Sequence, residues 1–183
     1  MSGGITVISG PAGVGKGTVV AELKRQHPEV WVSVSATTRL PRPAETDGVH
    51  YHFVSDPDFD ALVADHGLLE WAVVHGQHRY GTPAAPVVQA AAEGRTVILE
   101  IDLAGARQIR ERLPEVRSVF LAPPDWDTLV QRLGDRGTET DEQVARRLQT
   151  ARDELAASDE FDTIVVNDDV GQSVAKLVSL LGL

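Results

Sequence analysis

The sequence predicts an α/β fold: a P-loop doubly wound parallel sheet with helices on both faces, plus a small β-rich insertion and a helical lid. Three observations predict it. Short apolar runs alternate with helical patterns along most of the chain. A Gly-rich turn ending in lysine joins the first apolar run to the first helix. The middle of the chain breaks the alternation with short strands of its own.

Residues 5–8, 96–101 and 116–121 read as buried strands, short and rich in Val and Ile, each followed by turn or helix-start chemistry. A fourth run, 163–166, ends at Asn167-Asp168-Asp169. Val19 and Leu23 mark a helix after the glycine turn. Residues 104–113 form a second helix that stops before Pro114, and 125–133 a third that ends near Gly134 and Gly137. A longer helix starts at Thr140, with Gln143 three residues on as a capping box. It carries Val144, Leu148, Ala151 and Leu155 at helical spacing. Val174, Leu177, Val178 and Leu181 describe a last helix against the sheet. Between Val49 and Thr82, short strands at 51–54 and 69–75 surround a small helix with Asp56 as cap, Pro57 at its first position and Gly67 at its end. The chain reads as one domain over 1–183. Its core covers 1–34 and 83–183, the insertion about 35–82, and the lid about 125–152 within the core span.

Composition narrows the function. The chain has 183 residues, 42% of them hydrophobic, and a formal net charge of −10. That charge argues against a broad basic face for nucleic acid or an anionic membrane. An anionic ligand must be gripped by a local cluster. Lys16, Lys24 and Lys176 are the only lysines among 17 basic residues, so arginine, with its planar fork, dominates. Without cysteine there are no disulfides or thiolate metal sites. No stretch approaches a membrane span and the start lacks a signal-peptide pattern, so a cytoplasmic location is expected.

The turn reads Gly10-Pro11-Ala12-Gly13-Val14-Gly15-Lys16-Gly17-Thr18, after an apolar strand and opening a helix. Its glycines let backbone N–H groups turn inward around a phosphate, and the helix N-terminus adds its positive end. Lys16 then reaches the β- and γ-phosphates of a nucleotide such as ATP. The strict motif places Ser or Thr directly after the lysine to bind Mg²⁺. Here Gly17 intervenes before Thr18, as in some nucleoside-monophosphate kinases, so Mg²⁺ is expected to be held mostly through water.

Glu100 and Asp102 lie two apart at the end of the 96–101 strand, so both are expected on one face beside the loop. The metal candidates are Thr18 and Glu100, acting through water. Arg39 and Arg42 flank Pro41, which stiffens their loop; taken alone, an Arg-x-x-Arg pair is equally at home in solvent. Six histidines, all before residue 79, lack acidic or thiol partners in sequence and are read as structural or solvent-facing. Trp31, Trp71 and Trp126 are read as packing residues.

From Ser33-Val34-Ser35-Ala36-Thr37-Thr38-Arg39-Leu40-Pro41-Arg42-Pro43 onward the chain resembles guanylate kinases. The likeness continues through Glu45, Gly48, Tyr51 and Phe53, then Leu69-Glu70-Trp71-Ala72 and Tyr80-Gly81-Thr82. It resumes at Leu99-Glu100-Ile101-Asp102, at Arg132-Leu133 to Arg136-Gly137, at Arg146-Arg147-Leu148 and at Val165-Val166-Asn167-Asp168-Asp169. It covers essentially the whole chain in order.

The resemblance implies transfer of the γ-phosphoryl group of ATP to GMP, giving ADP and GDP, with Mg²⁺. ATP and GMP are then the partners, with dGMP left open as a close analogue. By the same resemblance Arg39, Arg42, Tyr51 and Tyr80 hold the GMP phosphate, and Glu70 accepts from guanine N1–H and the 2-amino group. Ser35 and Thr82 contact the base edge. Arg136, Arg147 and, less centrally, Arg132 close over the ATP phosphates, and Asn167 lies near the adenine. Asp102 is assigned to the base and Glu100 to the metal side, although spacing alone leaves that division open. A strand-end turn explains Asn167 equally well. Two other readings compete: a guanylate-kinase-like interaction module, which the complete phosphate loop disfavours, and another nucleoside-monophosphate kinase, which Glu70 with Arg39 and Arg42 disfavours.

Overall fold

The computed structural model describes residues 4–74, 77–134 and 141–183, with the side chains of 141–143 excepted. Five parallel strands form the central sheet: β1 (Ile5–Ser9), β2 (Trp31–Val32), β7 (Val97–Glu100), β8 (Arg117–Ala122) and β9 (Thr163–Val166). Their spatial order is β2-β7-β1-β8-β9. The chain adds strands on one side of β1 and then crosses to the other. The carboxyl end of β1 is therefore the switch point, where open α/β sheets bind ligands.

Helices cover both faces. On one side α1 (Lys16–Gln26), α5 (Trp126–Gly134), α6 (Asp141–Ala156) and α7 (Val170–Leu181) pack a core that includes Ile8, Leu23, Ile98, Leu129, Ala151 and Leu177. On the other, α3 (Ala84–Ala92) and α4 (Leu103–Arg112) enclose Val7, Val87, Leu99, Ile109 and Phe120. Leu23 and Leu99 are fully buried, and each such side chain contributes about 1.5–3 kcal/mol by leaving water.

A second sheet of order β4-β3-β6-β5 sits between β2 and α3 in sequence. It comprises β3 (Ala36–Thr37), β4 (His52–Phe53), β5 (Leu68–Val74) and β6 (His78–Pro83). The β5–β6 and β3–β6 pairs are antiparallel and the β3–β4 pair is parallel. Helix α2 (Asp56–Ala64) closes it over Phe59, Leu68 and Ala36.

The doubly wound sheet is the one predicted, with differences at its elements. The cap of α2 is Ser55, whose hydroxyl accepts from Asp58 N; Asp56 is the first helical residue. Strand β7 stops at Glu100, and Asp102 turns out of the sheet to cap α4, its carboxylate accepting from Gly105 N at 2.7 Å. Glu100 and Asp102 therefore do not share a strand face. Helix α3, the two-residue strands β2 and β3, and strand β6 are additions. The Thr140 start of the long helix, its Gln143 side chain, Gly137 and His75 lie outside what is described.

Candidate active site

The phosphate loop leaves the carboxyl end of β1 as the glycine pattern requires. Gly10 has φ +146°, and a Cβ there would lie 2.2 Å from Leu121 O on the neighbouring strand. Gly15 caps α1 at φ +95°, and a Cβ there would lie 2.8 Å from Asn167 Nδ2. Only glycine brings this backbone so close to its walls. Lys16 Nζ donates to Gly10 O at 2.5 Å and to Pro11 O at 3.3 Å. Burial pulls the lysine pKa down, and the carboxylates of Glu154, Glu100 and Asp102 oppose that shift. The ammonium thus lines the cavity at the loop, held by the loop's own carbonyls and kept charged by three carboxylates.

Asn167 braces the loop from beneath. Its Nδ2 donates to Val14 O at 2.8 Å and its Oδ1 accepts from Ser173 Oγ at 2.9 Å, with the residue 3% exposed. Arg132 Nη1 reaches Val14 O at 3.3 Å and Asn167 O at 3.4 Å. Lys16, Thr18, Glu100, Arg132 and Asn167 line one cavity of about 580 Å³.

The second sheet carries another constellation. Arg39 sits over the Tyr51 and Phe53 rings at 5.2 and 5.6 Å. Its Nε donates to Tyr80 Oη at 3.2 Å, and its two terminal nitrogens meet the oxygens of Glu45 at 2.8 Å each. Glu45 also accepts from Arg42 N at 2.7 Å, so one carboxylate holds both arginine positions. The Arg42 side chain is exposed. Tyr51 and Tyr80 meet edge to face, 5.8 Å between centroids.

Glu70, on β5, is 4% exposed, and its Oε1 accepts from Thr82 Oγ1 at 2.6 Å. Burial raises its pKa to about 7; the Thr82 hydrogen bond pulls it down and the Asp102 charge pushes it up. A buried carboxyl with such a pKa is a common mark of a functional pocket. Asp102 is felt by Lys16 as well as by Glu70, and Glu100 by both Lys16 and Tyr51. These two acids therefore stand between the phosphate loop and the second sheet.

Among the described residues, no three His, Cys, Asp or Glu side chains converge as a cation site. A metal held here must share its coordination with a ligand that brings its own oxygens. A Cβ at Gly17 would lie 3.6 Å from Glu100 Oε1, so this carboxylate faces the first turn of α1, where Thr18 also sits. Carboxylate and hydroxyl oxygens are hard donors and fit Mg²⁺.

Of the expected residues, the structure brings Lys16, Thr18, Glu100, Arg132 and Asn167 to one cavity, and Arg39, Tyr51 and Tyr80 to one cluster. Glu70 and Thr82 are joined, with Asp102 near them. Ser35 leads into β3 and its carbonyl accepts from His52 N at 2.9 Å. Arg147 lies buried on α6. Arg136 lies outside the described residues.

The guanylate kinase family model matches residues 3–182. The chain belongs to the guanylate kinase family.

Among its relatives, the guanylate kinase of Cutibacterium acnes is 60% identical over 98% of this chain and 90% of its own. That of Thermobifida fusca is 58% identical over 97% and 90%. The crystal structure of guanylate kinase from Anaplasma phagocytophilum superposes with a TM-score of 0.82 at 29% identity, covering 99% of this chain and 85% of that one. A shikimate kinase from Bacteroides thetaiotaomicron, at 16% identity and a TM-score of 0.52, shares the fold alone. ATP-dependent phosphorylation of GMP is the activity of the guanylate kinase family, and this member is an ATP:GMP phosphotransferase.

In this guanylate kinase-family chain, sequence reasoning missed Glu154. From α6 its carboxylate is coupled to Lys16 and to the backbone N–H of Ala12, both of which favour its charge, while burial raises its pKa. Its Oε2 is buried without a hydrogen-bond partner. A signal existed: Arg147, Ala151 and Glu154 recur at i, i+4 and i+7 on the helix. The sequence shows Glu45 only as part of a pattern; its grip on Arg39 and Arg42 depends on loop geometry that spacing does not reveal.

Proposed function

We propose that the chain performs its family's reaction by direct exchange between two anion sites, with the roles divided as follows. The phosphate loop backbone from Gly10 to Thr18 and the Lys16 ammonium hold the ATP β- and γ-phosphates. Arg132 and Arg147 add positive charge on that side, and Asn167 keeps the loop in shape for the nucleotide. Arg39, Arg42, Tyr51 and Tyr80 hold the GMP phosphate. Glu70 accepts from guanine N1–H and the 2-amino group, with Thr82, Ser35 and Asp102 at the same edge. Adenine offers no such donor pair, and a site built on hydrogen bonds of this kind discriminates by ~10⁴-fold or more.

Thr18 and Glu100 would hold Mg²⁺, through water, and it would supply charge neutralisation for the transferred phosphoryl group. The attacking atom is already an anionic phosphate oxygen, so these residues align and neutralise without a dedicated general base. A strongly acidic chain acting on soluble nucleotides, with no membrane-spanning helix among its described residues, is best placed in the cytoplasm.

The observation that carries this reading is the buried Glu70–Thr82 pair, with Asp102 acting on both Glu70 and Lys16. The test is ADP release from ATP and Mg²⁺ against GMP, AMP, CMP and UMP. Turnover should require GMP, with AMP weaker by about 10⁴-fold in kcat/KM. Equal use of AMP and GMP would overturn the reading.

A further inference from the structure

Gly105 poses a question the reaction itself does not answer. It is buried in the first turn of α4, where glycine is a poor helix former. Its φ lies outside the left-handed region, so the backbone does not call for it. What calls for it is space. A Cβ at this position would lie 2.6 Å from Glu70 Oε2, 3.0 Å from Glu70 Cδ and 3.3 Å from Asp102 Oδ1.

The approach is held from both sides. Strand β5 is an edge of its sheet, and α4 binds that edge around Glu70. Gln108 Nε2 donates to Trp71 O at 2.8 Å while its Oε1 accepts from Trp71 N at 3.3 Å. Arg112 Nη1 donates to Leu68 O at 3.0 Å and Leu69 O at 2.7 Å. The backbone on either side of Glu70 is thus tied to the helix that carries Gly105. The strand has little freedom to retreat, and the carboxylate itself is the part that must yield.

We propose that Gly105 is a specificity-determining position in this enzyme, a side-chain-free site that lets α4 present Asp102 while the Glu70 carboxylate stays aimed at the same purine edge. It is a positioning residue and acts through Glu70. The proposal rests on the reading of Glu70 as the group that recognises guanine. Any larger side chain turns the carboxylate away from the base and from Thr82, without touching the phosphate loop.

The test is a double-mutant cycle on the full chain: wild type, Gly105→Ala, Glu70→Ala and the double variant. Each is assayed with GMP and AMP and followed by thermal unfolding. Gly105→Ala should lower kcat/KM for GMP about 100-fold, the scale on which a displacement of about 1 Å acts, while KM for ATP stays within about twofold. In the Glu70→Ala background the same substitution should cost nothing further. Equal losses in both backgrounds, or no loss in Gly105→Ala, would overturn the proposal. Should Gly105→Ala fail to fold, the double variant decides: a folded double locates the conflict at the carboxylate, and an unfolded one contradicts it. Glu70→Ala alone tests the underlying reading separately, because unchanged GMP kinetics there remove Glu70 from base recognition.

Discussion

Arg39 and Glu45 meet fork to fork, Nη1 to Oε2 and Nη2 to Oε1, each at 2.8 Å. The pair draws the Glu45 pKa down to about 2, and hydrogen bonding to Arg39 is the main cause, ahead of the backbone N–H of Arg42. The guanidinium is thereby fixed over Tyr51 before any ligand arrives, and such fixing lowers the cost of binding. Glu45→Ala should raise KM for GMP about tenfold and leave KM for ATP within about twofold. Steady-state kinetics with each substrate varied check this. Because Glu45 sits below its ordinary 4.5, the pair's stabilisation is present above that value and is lost as pH falls towards about 2.

Glu70 titrates in the opposite sense. With a folded pKa near 7 against an ordinary 4.5, its effect on stability is most favourable below 4.5 and is lost as pH rises through about 7. Function runs the other way, since only the carboxylate offers two acceptors to guanine. The value of kcat/KM for GMP should rise with pH through about 7, and Glu70→Gln should remove that step. A phosphomonoester's own ionisation near pH ~6 stays in both profiles and serves as control. Thr82→Val deletes the hydrogen bond that holds the pKa down, so its step should move to higher pH.

Asn167 joins Val14 O to Ser173 Oγ inside the protein. Asn167→Ala deletes both bonds and leaves Val14 O with the longer contact from Arg132 Nη1 at 3.3 Å and Ser173 Oγ with Val166 O at 3.4 Å, a loss of about 0.5–1.5 kcal/mol per bond. Denaturant unfolding should show that loss, and KM for ATP should rise because the floor of the loop is released.

Lys16→Met keeps the apolar stem and deletes the charge. The variant should fold as the parent does, by circular dichroism. Its kcat should fall about 10²–10³-fold, the usual cost of one preorganised donor to a developing anion. Retained turnover would show that the backbone amides suffice.

The parts legible from sequence were those in which local chemistry and fold agree. Glycines, Lys16 and an apolar strand coincide at residues 5–18, and β1 and its loop form there. Helix α3 was missed because its Ala-rich run buries only Val87 and Ala90, too little to set a period. Strand β2 is two residues long and has no pattern to read. Alternation puts Asp102 on the strand, but an aspartate directly after an apolar run is also a helix cap, and the Gly105 amide decides for the cap. Gly105 and Glu154 act through contacts between distant elements, α4 with β5 and α6 with the phosphate loop; spacing puts Glu154 on one helix face with Arg147 and Ala151 without saying what that face meets, and it carries no trace of what Gly105 does.

Direct exchange between the two anion sites is tested most simply by following the label of [γ-³²P]ATP in a single turnover with GMP and Mg²⁺. The label should pass to GDP one for one with ADP release, with none retained on the protein and little lost as free phosphate. A labelled protein that discharges to GMP, or ADP formed at the same rate without GMP, would contradict it.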